Sequence, residues 1–408
     1  MKIESIKIEN YKAFKDAELK SLPKMAVLLG ANGSGKSTFF DVFGFLSDAL
    51  QQNVTIALNK RGGFAEVITR GCDVAKDLIK FEIKFLLNNK VQTSENFIRG
   101  TYNLAIGFTD GHIYLDEETL DTEESIDESF DQVELIQLIN KRGNVEIYYG
   151  ARRLNYYTED ADIVEHERSS YKMSSPDILA IKGLGQFEQF GVVSKFRELL
   201  EKWYVSNFKI DNGRSISDVG ISDHLSITGD NLAQVTKYMY EYHRKLFNDV
   251  LEKLPRRIPG ITQVEAKETE DGRIVLRFKD ENFKDPFVAR YVSDGTIKMF
   301  AYMILLHDPE PHPLLCIEEP ENFLHPDLLL QLCEEIREYS ERGGQVFVST
   351  HSPDFVNGLK IDELFYIKKE NGLSHIYAVN EDVSAVELAK DNQLGWLWRN
   401  KYIHGANL

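Results

Sequence analysis

Residues 2–9 (KIESIKIE) alternate apolar and polar positions with period two and predict a half-buried strand. Residues 25–29 (MAVLL) are apolar throughout and stop at Gly30, as a strand buried on both faces does. The pattern then turns helical from Lys36 to about Leu50. Strand-like runs follow at 78–87 and 101–108, and Asp110-Gly111 predicts a hairpin turn into 112–115. Helical periodicity returns over 192–205 and over 231–253. The second of these has Asp230 or Asn231 as its cap and a core stripe through Leu232, Val235, Met239, Tyr242, Leu246, Val250 and Leu251. Strands at 261–266 and 273–279 flank a turn at Asp271-Gly272. From about residue 290 the order is helix, strand, helix, strand, with short buried strands at 314–317 and 345–349 separated by a helix over 326–341. That alternation predicts a parallel sheet.

Composition changes this picture little, but charge does. The 408 residues are ordinary globular material, 42% hydrophobic and 28% charged, with a net charge of −17. Ten acids and no Lys or Arg fall within residues 116–134, leaving only −7 for the remainder. Such a run predicts a solvated surface loop or helix. The acidity argues against a protein that coats nucleic acid along its whole surface, because phosphate contacts demand clustered Lys and Arg. Local basic groups nevertheless leave DNA possible: Lys141, Arg142, Arg152 and Arg153 lie near Tyr148, Tyr149, Tyr156 and Tyr157, and Lys253, Arg256 and Arg257 form a second group. Three cysteines, Cys72, Cys316 and Cys333, are too few and too scattered for a disulfide framework and fit a reducing compartment. No signal-peptide pattern opens the chain and no run is long enough to span a membrane, so the expectation is a cytoplasmic protein with no membrane partner.

The candidate chemistry begins at residues 30–37, GANGSGKS, which fit the phosphate-loop pattern G-x-x-x-x-G-K-[ST] between a strand and a helix. Gly30, Ala31, Asn32, Gly33, Ser34, Gly35, Lys36, Ser37 and Thr38 are the candidate ATP-binding residues. Glycines turn backbone N–H groups towards phosphates, Lys36 reaches their oxygens, and the Ser37 hydroxyl suits Mg²⁺. Residues 314–321, LLCIEEPE, place carboxylates at the end of a buried strand. Glu318 is the second candidate Mg²⁺ residue, and Glu319 is the candidate general base. Ser293, Asp294 and Gly295 in RYVSDGTI, the segment NFLHPD at 322–327 and His351 in STHSP complete the order.

That order resembles the ABC-class ATPases of the RecF, SMC and OLD-like branch, most nearly the AAA-21 "predicted ATPase" family. The resemblance covers about residues 1–70 and 208–398 and extends to the tail LGWLWRNKYIHG. It implies an α/β fold: a P-loop ATPase head of mixed sheet with an antiparallel β-lobe, a middle α/β insertion and no long coiled coil. Residues 1–115 would form the N-terminal half of the head, 116–207 an insertion or lid, and 208–408 the C-terminal half. The resemblance further implies that Ser293, Asp294 and Gly295 are a signature touching the γ-phosphate held by a second subunit. Asn322 to His325 would cross that interface. His351 would contact the γ-phosphate and act with Glu319 and Lys36 in catalysis, and Lys12 and Phe14 would flank the nucleotide. Two departures stand out: Glu318 replaces the usual Asp, and residues 60–71 contain no Gln for a glutamine loop.

The function so implied is an ATP-hydrolysing, ATP-driven homodimerisation switch in DNA maintenance or anti-phage defence, with a separately encoded nuclease or toxin as partner. The alternative is an ATP-controlled protein-interaction scaffold with little turnover and no direct DNA binding.

Overall fold

The structure is a computed structural model that describes residues 2–91, 94–125, 132–154 and 161–403. The apolar run becomes the strand Met25–Leu29, third from one edge of a six-stranded sheet. Its neighbours, Gln345–Thr350 and Leu364–Glu370, both run parallel to it. Leu314–Glu318 and then Tyr204–Ser206 continue the parallel set, while the edge strand Leu373–Ala378 returns antiparallel. Ala26 and Leu28 enter one hydrophobic core, and Met25, Val27 and Leu29 enter the other. A strand with a core on each face leaves no position for a polar side chain, which is why this run is apolar throughout.

The first core lies under the helix Lys36–Gln51, where Phe39 and Phe43 meet Phe347 of the parallel sheet. It is closed by an eight-stranded antiparallel sheet. The strands are ordered Phe14–Leu19, Lys2–Tyr11, Ile79–Val91, Ser94–Thr109, His112–Ser125, Gln132–Lys141, Asn144–Leu154 and Ala161–Lys172. The second core surrounds the helix Asp294–Leu306, whose residues Ile297 to Leu306 are all buried. The architecture is thus a mixed α/β head. Among the described residues the longest helix has 16 residues, so no long coiled coil is present, and no helix is long and apolar enough to cross a membrane.

Three expectations change. Over 116–125 the acidic stretch is part of the strand His112–Ser125, not a loop or helix. Glu118, Leu120 and Thr122 face inward and alternate with half-exposed neighbours, a period-two pattern hidden in the sequence because one inward residue is an acid. Asp127, Glu128 and Asp131 lie outside the described residues. The helix expected over 192–205 ends at Glu201, because Tyr204–Ser206 pairs with Leu315–Ile317. The helix expected over 231–253 divides at His243 into Leu232–Tyr242 and Arg244–Arg257. Asn231 does not cap the first of these with its side chain, which instead takes the Ser226 N–H and donates to the His224 carbonyl. The Asp110-Gly111 turn is as expected, with positive φ at both residues.

Glu118 explains how the acidic strand packs. Its carboxylate has no exposure to solvent and accepts from Asn140 Nδ2 at 3.0 Å, Ala180 N at 2.6 Å, and Ile181 N and the Tyr102 hydroxyl at 3.2 Å. Burial pushes this carboxyl upward and the four donors oppose that shift. Glu118→Ala strands these donors and should cost about 3 kcal/mol or more, read as a lower urea midpoint at unchanged slope.

Candidate functional site

Residues Gly30 to Gly35 form the turn between Met25–Leu29 and Lys36–Gln51, and Lys36, Ser37 and Thr38 open the helix. Gly35 has φ +118°, and a Cβ there would meet Ser374 Oγ at 2.8 Å. At Gly30 a Cβ would fall 2.4 Å from Ser34 Oγ and 2.9 Å from the Ile367 carbonyl. Both positions therefore need glycine. Ser374, fully buried, donates to the Ser34 carbonyl at 2.6 Å and so fixes the loop from the last strand of the sheet. Sequence reasoning gave Ser374 no role, and a lone Ser in LSHIYA carries no signal for one. The Lys36 ammonium, nearly buried, donates to the Gly30 and Ala31 carbonyls at 2.7 and 3.1 Å. Burial lowers its pKa, against the pull of Glu319, Glu321 and Glu318.

Three parallel strands deliver their C-terminal ends to this loop, the usual place for a ligand on such a sheet. Ser37 Oγ donates to Glu318 Oε2 at 2.6 Å, so the longer acid reaches the hydroxyl directly. Burial raises the pKa of Glu318 and the Ser37 hydrogen bond opposes it. Glu319 has φ +45°, a strained value for a residue with a side chain, and its N–H is anchored to the Ser349 carbonyl at 2.9 Å. Its carboxylate accepts from Asn322 Nδ2 at 3.0 Å and lies 3.5 Å from His351 Nδ1.

The third acid of the segment, Glu321, was not foreseen as part of the site. Its carboxylate is 8% exposed, accepts from Thr350 Oγ1 at 2.7 Å and from His351 N at 2.9 Å, and lies 3.3 Å from His351 Nδ1. His351 is therefore held between Glu319 and Glu321. The missed signal was the carboxylate immediately after Pro320.

The Ser293–Gly295 segment stands elsewhere. Ser293 caps the helix Asp294–Leu306 by accepting from Thr296 N at 3.3 Å. Asp294 pairs with Arg214 at 2.5 Å, and Arg214 also donates to the Val292 carbonyl. A Cβ on Gly295 would lie 2.8 Å from the Phe323 carbonyl. Among the described hydrogen bonds none joins these three residues to the phosphate loop. The loop from Asn322 to His325 leaves Phe323 and His325 exposed.

One residue of the same helix links it to the acids. Lys298, 6% exposed, donates to the Asn322 carbonyl at 2.8 Å and to the Glu319 carbonyl at 3.4 Å, and burial lowers its pKa to about 8. Lys298→Met should loosen that turn, read as faster amide hydrogen exchange over residues 319–322.

A cleft of about 860 Å³ opens beside Ser37 and Glu318, lined also by Lys12, Asp41, Arg61 and Lys298. Asp41 holds Lys12, Arg61 Nε at 2.7 Å and the Tyr11 hydroxyl at 2.7 Å. Arg61 thus supplies a charged group from the segment that lacks a glutamine. Phe14, in contrast, is fully buried beside Gly35 and supports the loop from within, so it does not flank a nucleotide. Of the basic groups considered for DNA, Lys141, Arg142, Lys253 and Arg257 are paired with Glu117, Asp116, Glu335 and Glu335 at 2.7–3.0 Å. Tyr156 and Tyr157 lie outside the described residues, as do the side chains of Arg152 and Arg153.

A phosphate chain with its magnesium fits this donor set. Ser34 Oγ, Ser349 Oγ and Glu321 Oε2 are buried without a hydrogen-bond partner among the described residues, all in the phosphate loop or at the adjoining strand ends. Lys36 would face the phosphates, and Ser37 and Glu318 would give magnesium two of its six oxygen ligands.

The fold has known counterparts. An SMC head solved bound to the C-terminal winged-helix domain of ScpA superposes with a TM-score of 0.52 at 14% identity, covering 94% of this chain and 100% of that one. The SMC head with extended coiled coil from Pyrococcus furiosus, bound to the C-terminal domain of ScpA, gives 0.48 at 14% identity over 95% and 99% of the two chains. The SMC head of Thermotoga maritima gives 0.42 at 13% identity over 93% and 99%. Among curated proteins, none matches the chain in sequence. The profile of the AAA-21 family, described as "AAA domain, putative AbiEii toxin, Type IV TA system", matches residues 25–357, from the strand before the phosphate loop to beyond His351. The chain belongs to this family, and its fold is that of an SMC head.

Proposed function

We propose that the protein hydrolyses ATP and that ATP joins two copies of it into a dimer which loosens after hydrolysis. The observation that carries this reading is the separation of two half-sites. Ser37, Glu318, Glu319 and His351 converge at the C-terminal ends of the interior strands, while Ser293, Asp294 and Gly295 form a capped helix start with no hydrogen bond to them among the described residues. A second chain packed head to tail would bring its helix start to the phosphates, and closed twofold symmetry would build two such sites.

Bound Mg·ATP supplies the electrophilic γ-phosphorus and the cation that offsets charge developing on its oxygens. Lys36 leaves the Gly30 and Ala31 carbonyls for the phosphates, since a charged partner then compensates its burial. Ser37 Oγ and the Glu318 carboxylate, already side by side, would hold the magnesium ion. Glu319 orients the attacking water and takes its proton. His351, tied to Glu321 through its own N–H, places an imidazole beside that water. The Ser293 hydroxyl and the helix N-terminus behind it would receive the partner copy's γ-phosphate.

The pathway we favour is DNA maintenance or anti-phage defence, with a separately encoded nuclease or toxin driven by the dimer. The support is the family and a fold shared with a head solved in complex with another protein's domain. Complementation tests the dimer. Lys36→Ala removes one chain's nucleotide site and Ser293→Arg its helix start, so each variant alone should be inactive. Mixing them creates one intact composite site, and turnover should return. A mixture as inactive as its components would count against a site shared between chains.

A further inference from the structure

We propose a second metal site, remote from the phosphate loop, in which His224, Asp308 and His312 bind one Zn²⁺ ion. One ligand atom from each residue lies within 4.8 Å of those of the other two. Asp308 is 3% exposed, and its Oδ2 lies 2.8 Å from His224 Nδ1. The rings of His224 and His312 are 5.3 Å apart.

The carrying observation is on His312. Its Nδ1 is 3.1 Å from the Lys202 carbonyl, which can only accept, so Nδ1 bears the proton and Nε2 carries a lone pair. That Nε2 is shielded from solvent and has no hydrogen-bond partner among the described residues. A buried acceptor without a donor is costly, and a cation removes the cost. The surroundings already have the form that metal ligands require. The Lys202 carbonyl fixes the tautomer of one imidazole, and the Glu310 N–H holds the other carboxylate oxygen of Asp308 at 2.9 Å. Two imidazoles and one carboxylate favour Zn²⁺ over Mg²⁺ or Ca²⁺ and leave a fourth position for water. Closing the three groups onto zinc requires a contraction to bond lengths of about 2.0–2.2 Å, and the His224 Nδ1 proton leaves as the metal enters.

The placement gives the ion a consequence. Asp308 follows the helix Asp294–Leu306 by two residues, and His312 precedes the strand Leu314–Glu318 by two. His224 comes from the segment before the helix Leu232–Tyr242. Zinc would therefore tie the far end of the helix that begins at Asp294 to the root of the strand that carries Glu318. The inference does not depend on ATP hydrolysis.

The test is Zn²⁺ titration of the full chain against a chromophoric chelator, with Co²⁺ absorption as the second readout. One equivalent per chain is expected, with a higher melting temperature and a tetrahedral Co²⁺ spectrum. His224→Gln, at a half-buried position, and Asp308→Asn should each weaken binding by at least roughly tenfold. Glu318→Gln should leave it unchanged. Full stoichiometry and affinity in both His224→Gln and Asp308→Asn would overturn the site, as would loss of the bound zinc in Glu318→Gln. Absence of any stoichiometric zinc in the parent chain would overturn it directly.

Discussion

Glu319→Gln is expected to bind ATP as the parent chain does and to hydrolyse it roughly 10²–10⁴-fold more slowly. The substitution keeps the side chain's size and its contact with Asn322 Nδ2 but removes the group that accepts the water's proton. The backbone is held independently, by the Ser349 carbonyl and by Lys298, so the strained turn at φ +45° should survive. The ground state keeps Lys36, Ser37 and Glu318, so the nucleotide Kd should change little. Single-turnover phosphate release and equilibrium nucleotide binding separate the two effects. Parallel loss of binding and turnover would assign Glu319 to the nucleotide pocket instead of the chemical step. Turnover that persists in this variant would assign the base to another group, and Glu321 is the nearest candidate.

Lys36→Ala carries the second large effect and should act at binding. The ammonium is nearly buried, with neutral carbonyls as its hydrogen-bond partners and carboxylates nearby. Phosphate oxygens would replace those partners with charge-assisted bonds of about 1.5–3 kcal/mol each. Loss of one or two of them weakens ATP binding roughly 10²-fold. Calorimetric titration with ATP and Mg²⁺ checks this, and the melting temperature without nucleotide should stay close to the parent's. An unchanged ATP affinity would remove the phosphate loop from the account.

Much of this site was legible from the chain because its signals are local. Gly30 to Ser37 are consecutive, a turn and the first residues of the helix after it, and Glu318 and Glu319 end a strand apolar enough to recognise. Their meeting was not local. Ser37 and Glu318 are 281 positions apart and touch only because Gln345–Thr350 lies between their strands in a parallel sheet. Lys298 and Ser374 escaped for a related reason: each acts through a partner on another element, and nothing adjacent in sequence marks them, whereas Glu321 sits two residues from Glu319 and shows its role only through Thr350 and His351. The acidic strand was misread because charge was taken as exposure. Glu118 is buried by donors from residues 102, 140, 180 and 181, which no window around residue 118 contains. The helix ending at Glu201 was extended too far because Tyr204–Ser206 takes its conformation from its pairing with Leu315–Ile317, not from its own periodicity.

The central claim is that ATP joins two heads through Ser293. The most direct measurement is the solution mass of Glu319→Gln by light scattering, with and without ATP and Mg²⁺. The account predicts a monomer without nucleotide, twice that mass with it, and a monomer again when Ser293→Arg is added with ATP still bound. A mass that stays monomeric at saturating ATP, or a dimer that Ser293→Arg leaves intact, would contradict it.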